Sequence, residues 1–189
     1  MKRIAIFASG NGSNAERIVR YFKPDNSVEV SLVLTNNPKA GVIERANRLG
    51  VNCRVFNRHI LRETNDIVDL LVKEKIDLVV LAGFLWLIPR NILEAFPNRI
   101  INIHPALLPK YGGKGMYGHH VHEAVINAGE KVSGITIHFV NERYDEGQII
   151  LQKEVDILDS DTPDSLAGKI HQLEYEYFPK VIEDLISDS

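Results

Sequence analysis

Arg99-Ile100-Ile101-Asn102-Ile103-His104-Pro105, continued by Ala106-Leu107-Leu108-Pro109, combines three β-branched residues with a terminating proline. Ile100, Ile101 and Ile103 suit a buried strand, and Pro105 lacks the N–H that a strand interior needs. Asn102 and His104 stand two apart, so in a strand they project to the same side. An amide and an imidazole then leave the carboxyl end of one strand together, where open α/β sheets hold their ligands. A buried, hydrogen-bonded pair with no chemistry also accounts for these two residues. The rest of the chain has to separate the readings.

Just upstream, Asp77-Leu78-Val79-Val80-Leu81-Ala82-Gly83 is almost wholly apolar, as in a parallel strand covered on both faces. Phe84-Leu85-Trp86-Leu87-Ile88 continues apolar past the glycine, either as core or as the wall of a pocket for a flat ring. Pro89 opens a helix that runs to Phe96. At the amino end, Arg3-Ile4-Ala5-Ile6-Phe7-Ala8 predicts a buried strand. Ser9-Gly10-Asn11-Gly12-Ser13-Asn14-Ala15 follows, then a helix to about Tyr21. Strand, glycine turn and helix start in that order present free amide N–H groups to an anion.

Gly10, Gly12 and Ala15 also fit G-x-G-x-x-A, the dinucleotide fingerprint. That reading needs an acid at the end of the second strand, yet residues 28–34 run into Thr35-Asn36-Asn37-Pro38. The missing acid argues against a nicotinamide site. It leaves a single phosphate as the ligand, or a tight turn that holds nothing. A helix over 42–49 ending at Gly50, a third strand over 52–56 and a polar connection over 57–63 come next. A helix over 64–74, with Ile67, Leu70 and Leu71 on its inner face, then leads to Asp77.

Beyond Pro109, Lys110-Tyr111-Gly112-Gly113-Lys114-Gly115-Met116-Tyr117-Gly118 lacks the G-x-x-x-x-G-K-[ST] spacing of a triphosphate loop. His119, His120 and His122 invite a metal, but H-E-x-x-H, a second cysteine and a carboxylate cluster at ligand spacing are all missing. No metal is expected. The three histidines are read as a solvated or substrate-facing start to a helix over 121–128. Ser133-Gly134-Ile135-Thr136-Ile137-His138-Phe139-Val140 alternates, which makes His138 a hydrogen-bonded sheet residue. Asn141-Glu142-Arg143-Tyr144-Asp145-Glu146-Gly147 is a loop, and 148–155 is a strand antiparallel to the one before it. Asp161-Thr162-Pro163 starts the last helix, whose core stripe is Leu166, Ile170, Leu173 and Tyr177. On that helix Glu174 is either surface charge or an acceptor for a hydroxyl.

A net charge of −3, from 22 Lys and Arg against 25 Asp and Glu, comes without a long run of either sign, so no nucleic-acid partner is expected. Cys53 is the only cysteine, which excludes an internal disulfide and points to the cytoplasm. No apolar run approaches the ~20 residues of a membrane span, and the run after Met1-Lys2-Arg3 is too short for a signal peptide. No membrane contact is expected. The chain reads as a single α/β domain of 189 residues: a Rossmann-like, mostly parallel sheet flanked by helices, with an antiparallel extension in its C-terminal half. Residues 1–100 form the phosphate-binding half and 101–189 the catalytic half.

Ser9-Gly10-Asn11-Gly12-Ser13-Asn14, Leu81-Ala82-Gly83-Phe84, Asn102-Ile103-His104-Pro105, Leu107-Leu108-Pro109-Lys110-Tyr111, His138-Phe139-Val140, Asp145-Glu146-Gly147 and Gln172-Leu173-Glu174 follow one another along nearly the whole chain. In these motifs the chain resembles the formyltransferase family that uses 10-formyltetrahydrofolate. The resemblance implies transfer of a formyl group from that folate to the amine of 5-phosphoribosylglycinamide in purine (IMP) synthesis, by a monomer or homodimer. It assigns catalysis to Asn102, His104 and Asp145. Gly12, Ser13, Asn14 and Gly83 fall in the acceptor site, with Glu174 on the ribose hydroxyls. The folate site comprises Arg62, Leu85, Trp86, Leu87, Ile88 and Asn102, with the loop residues Asn141, Glu142, Arg143, Tyr144 and Asp145. A cis peptide between Leu108 and Pro109 is also implied.

Trp86 and the long, glycine-rich segment 112–120 depart from the family pattern. Family members that act on methionyl-tRNA or hydrolyse formyl folate are expected to carry a further domain, for which 189 residues leave no room. An amine attacking a formyl carbon drives negative charge onto its oxygen, to which Asn102 and a protonated His104 can donate. Free histidine titrates near ~6.5, so Asp145 is expected to hold His104 cationic at neutral pH.

Overall fold

The computed structural model describes residues 1–24 and 27–187. Among them seven strands form one sheet: β1 (Lys2–Phe7), β2 (Val28–Thr35), β3 (Asn52–Val55), β4 (Leu78–Leu81), β5 (Ile100–His104), β6 (Val132–Phe139) and β7 (Ile149–Asp156). The helices are α1 (Ser13–Phe22), α2 (Gly41–Leu49), α3 (Arg58–Glu63), α4 (Asp66–Lys73), α5 (Arg90–Ala95), α6 (His119–Asn127) and α7 (Pro163–Ser187). Across the sheet the order is β3-β2-β1-β4-β5-β6-β7. The first five strands are parallel, β6 runs antiparallel to β5, and β7 antiparallel to β6. The mostly parallel α/β sheet with an antiparallel extension is therefore the fold observed.

The chain steps outward from β1 to β3, then crosses back to lay β4 on the other side of β1. That reversal opens a crevice beyond the carboxyl ends of β1 and β4. Alternate residues of the central strands feed two cores. Ile4, Ile6, Val80, Ile101 and Ile103 pack with Ile18 of α1, Val121 of α6 and Ile170 of α7. Ala5, Phe7, Val79, Leu81 and Ile100 face Leu61, Leu71 and Ile92 of α3, α4 and α5. Both faces are covered, which is why the sequence of β4 contains no polar residue.

Three local differences from the sequence reading have local causes. Residues 58–63 are helical because Asn57 accepts the Ile60 N–H at 2.9 Å, a cap on a helix too short to show a periodic stripe. α4 starts at Asp66, where Thr64 Oγ1 accepts the Asp66 N–H at 3.2 Å. α6 begins at His119 rather than at 121. The Leu108–Pro109 peptide is cis.

α7 is 25 residues long. It opens on a reciprocal box in which Ser165 N–H donates to Thr162 Oγ1 at 3.2 Å and Thr162 N–H to Ser165 Oγ at 2.9 Å. It lies against α1, where Arg17 Nε donates to the Tyr175 carbonyl at 3.1 Å and Tyr21 hydroxyl to Glu183 at 2.6 Å. Among the described residues no helix is long and apolar enough to cross a membrane.

Candidate active site

A cavity of about 670 Å³ opens at the carboxyl ends of β1, β4 and β5. Residues 9–14 after β1, 82–86 after β4 and 102–105 at the end of β5 form its floor. Residues 113–118, Tyr144, Asp145, His122 of α6, and His171 and Glu174 of α7 close its sides. Its size suits a small organic ligand.

One end is the glycine turn. Gly12 sits at φ 78°, and a Cβ there would stand 2.4 Å from Val42 Cγ2, so no other residue fits without displacing α2. Val42 N–H donates to the Gly10 carbonyl at 3.2 Å, which pins the turn from the α2 side. Ser13 and Asn14 are the first residues of α1, where backbone N–H groups have no partner within the helix. Asn14 Nδ2 donates to Glu174 Oε2 at 2.9 Å, and His171 Nδ1 meets the same oxygen at 2.9 Å. Glu174 is only 5% exposed, so it is not surface charge. Its hydrogen bond raises the pKa of His171 above the ordinary value, against a smaller opposing effect of burial.

The other end holds Asn102, His104 and Asp145. Asn102 and His104 share the same side of β5, as their spacing requires. His138 lies opposite Asn102 in the β5–β6 pair. Its Nδ1 is 2.8 Å from the Phe139 carbonyl, which can only accept, so Nδ1 carries the proton and Nε2 accepts from Asn102 Nδ2 at 3.0 Å. His138 is thus the hydrogen-bonded sheet residue expected of it, and it orients the Asn102 amide.

His104 is 3% exposed, and its Nε2 donates to the Tyr111 carbonyl at 2.7 Å. Nδ1 faces Asp145 Oδ2 at 3.6 Å, too far for a hydrogen bond. Asp145 adopts φ 57°, a left-handed conformation that Asp tolerates, and its Oδ2 accepts the Gly113 N–H at 2.9 Å. Burial pushes the Asp145 carboxyl up, but the neighbouring His104 and the Gly113 N–H help to bring it below the usual carboxylate value.

The charge state of His104 corrects the sequence reading. Burial is the largest influence and moves its pKa below 6.5, and Asp145 and the Tyr111 carbonyl do not overcome it. Lost hydration outweighs the pull of the Asp145 carboxylate, which stands 3.6 Å from Nδ1.

Gly12, Ser13, Asn14, Gly83, Leu85, Trp86, Asn102, His104, Tyr144, Asp145 and Glu174 all line this one cavity. Arg62 does not. Folded into α3, it is exposed one helical turn beyond the rim, and Arg58 reaches the cavity instead with its guanidinium 5.0 Å from the Trp86 ring. Ile88 belongs to the core beside Ile92, Leu87 is half-buried outside the lining, and Asn141, Glu142 and Arg143 are exposed beyond it.

His119 and His120 are exposed, but His122 is buried, lines the cavity, and has an Nδ1 without a hydrogen-bond partner among the described residues. Burial lowers its pKa to about 4. Its spacing from Val125 on the inner face of α6 is the sequence signal for that position.

A strand order that reverses beside a ligand-sized crevice, with a glycine turn and helix start at one end and ionisable groups at the other, defines a doubly wound α/β protein with its site at the carboxyl ends of its strands. Within that class the chain belongs to the formyl transferase family, whose model matches residues 2–182. It is 44% identical over 189 residues to the chloroplastic phosphoribosylglycinamide formyltransferase of Arabidopsis thaliana, which covers 96% of this chain and 64% of that protein. It is 38% identical to the phosphoribosylglycinamide formyltransferase of Bacillus subtilis, covering 98% of this chain and 95% of that one. The crystal structure of phosphoribosylglycinamide formyltransferase from Streptococcus pneumoniae superposes with a TM-score of 0.86 at 39% identity, covering 98% of this chain and 99% of that one. The chain spans less than two thirds of the Arabidopsis relative.

Proposed function

We propose that this chain transfers the formyl group of 10-formyltetrahydrofolate to the amine of 5-phosphoribosylglycinamide, giving N-formylglycinamide ribonucleotide and tetrahydrofolate. It does so in the cytosol as a monomer or homodimer. The observation that carries the reading is a single cavity joining three things: an amide cradle at residues 12–14, a buried carboxylate at Glu174, and the set Asn102, His104 and Asp145. A phosphate, a ribose diol and a reacting amine need those groups in that order.

The folate also finds fitting chemistry. Gly83 carries no side chain, Leu85 is 41% exposed, Phe84 and Trp86 are tilted against each other, and Arg58 offers a cation for an acidic tail. Bound there, formyl folate supplies the electrophilic carbon. Asn102 donates to the formyl oxygen as charge accumulates on it. Neutral His104 is a base first: Nδ1 takes a proton from the attacking amine, and Asp145 stabilises the imidazolium only once it exists. His104 then gives that proton up to the departing nitrogen.

The deciding assay offers purified protein 10-formyltetrahydrofolate with each acceptor. Formylation of 5-phosphoribosylglycinamide, with none of methionyl-tRNA, is the expected outcome. Release of free formate in the absence of an acceptor would make the chain a hydrolase instead.

Two further outcomes follow from the site. Glu174→Ala strands the Asn14 amide and removes the proposed diol acceptor. Losing hydrogen bonds to a charged group should raise the acceptor KM by about ten- to a hundredfold while kcat moves less. An unchanged KM would take Glu174 out of the acceptor site. The His104 ring should titrate below 6.5 by NMR in the free protein, and lower still in Asp145→Asn, because Asp145 acts to raise it. An upward shift in that variant would contradict the mechanism.

A further inference from the structure

Arg45 of α2 does not line the cavity, yet each of its three guanidinium nitrogens makes a contact. Nε donates to the Asn11 carbonyl oxygen at 2.8 Å, Nη2 donates to Asn11 Oδ1 at 3.1 Å, and Nη1 meets the Glu16 carboxylate. Glu16 lies in the first turn of α1 and is shared with Arg20 at 2.8 Å and Arg48 at 2.9 Å. Asn11 lines the cavity at the cradle end. We propose that Arg45 is the positioning residue of the anion cradle: by holding both oxygens of Asn11, it leaves only hydrogen-bond donors for a bound phosphate monoester.

An asparagine amide can present either its oxygen or its NH2 group to a ligand, and a phosphate dianion only accepts. With Oδ1 occupied by Arg45, the group left over is Nδ2, which has no hydrogen-bond partner among the described residues. The main chain behaves alike. In a trans peptide the carbonyl and the following N–H point in opposite directions, so tying the Asn11 carbonyl to Arg45 turns the Gly12 N–H away from Arg45. Gly12 lines the cavity.

Only a planar fork can grip a carbonyl oxygen and a side-chain oxygen of one residue while a third N–H anchors elsewhere; a lysine ammonium does not match that geometry. Glu16 is the anchor. The hydrogen bond from Arg20, with those from Arg45 and the nearby charge of Arg48, holds its carboxyl at about 2, so it remains ionised at any working pH. Arg48 and Arg20 carry the same charge to the same carboxylate without a hydrogen bond to Asn11, which separates the clamp from bulk charge.

The inference rests on the phosphate reading of the cavity, so its test includes an arm that needs no turnover. Wild-type chain, Arg45→Lys, Arg45→Gln and Arg48→Gln are compared for acceptor KM and kcat, and for the Kd of ribose 5-phosphate by calorimetry. Arg45→Lys keeps a cation beside Glu16 and safeguards folding, which thermal melting checks. Both Arg45 variants should raise KM and Kd about tenfold or more, with kcat changing less than about threefold, while Arg48→Gln stays within about twofold of wild type. Wild-type values in Arg45→Lys, or an equal defect in Arg48→Gln, would show that charge alone suffices and overturn the proposal. A wild-type chain that binds ribose 5-phosphate but formylates nothing would sink the formyl-transfer reading, and the Kd comparison would still decide the clamp.

Discussion

His104→Ala should lower kcat at saturating substrates by about 10²- to 10⁴-fold, the usual range for losing a positioned proton-transfer group. The fold should survive the change. Asp145 keeps its hydrogen bond from Gly113 and its proximity to His138, and His104 sits at the end of β5 rather than within either core. Truncation removes the proposed base for the amine proton, so the defect should appear in single-turnover rates and not in acceptor KM. Added imidazole should recover part of the rate by occupying the vacated space. A kcat within about tenfold of wild type, with no response to imidazole, would remove His104 from the chemistry.

Gly12→Ala should raise the acceptor KM by more than about tenfold and lower the melting temperature together. A methyl at this position has two penalties. The backbone stays at φ 78°, and the new carbon lies 2.4 Å from Val42 Cγ2 and 2.8 Å from Val42 Cα. The second contact is with main chain, so a rotamer change of Val42 cannot relieve it. α2 must move away, and with it the Val42 N–H that holds Gly10. Overpacking of this kind destabilises by about 1–3 kcal/mol, and a left-handed non-glycine adds of order 1 kcal/mol or more. Equilibrium denaturation and steady-state kinetics check the two halves. Normal KM with reduced stability would mean that the turn braces the helices but does not bind the substrate.

The central sheet was legible in the sequence because residues 78–81 and 100–104 are apolar enough to admit only a covered strand. The shared direction of Asn102 and His104 followed from a period of two, and the turn from β1 into α1 from two glycines between strand and helix. The charge on His104 was not legible. It depends on how much water the fold leaves around the ring, and that is a property of packing between segments remote in sequence. The same holds for Glu174, whose burial is decided by α7 lying over α1.

Arg62 and Arg58 differ by one turn of a helix that the composition of 57–63 does not announce, so choosing between them needed the Asn57 cap. Arg45 lay beyond sequence reasoning altogether. Nothing in the spacing of α2 shows that one arginine reaches both oxygens of Asn11.

The contact between Asn14 and Glu174 joins residues 160 positions apart, and Tyr21 meets Glu183 across 162. On a ribosome, where synthesis runs from the amino end, the first hundred residues can form their strands and still lack the carboxylate that completes the cradle. Activity should therefore emerge only when α7 clears the exit tunnel and docks, a late, long-range closure of the sort that slows folding. Nascent chains stalled before that helix has emerged would be formylation-incompetent however well their sheet had formed.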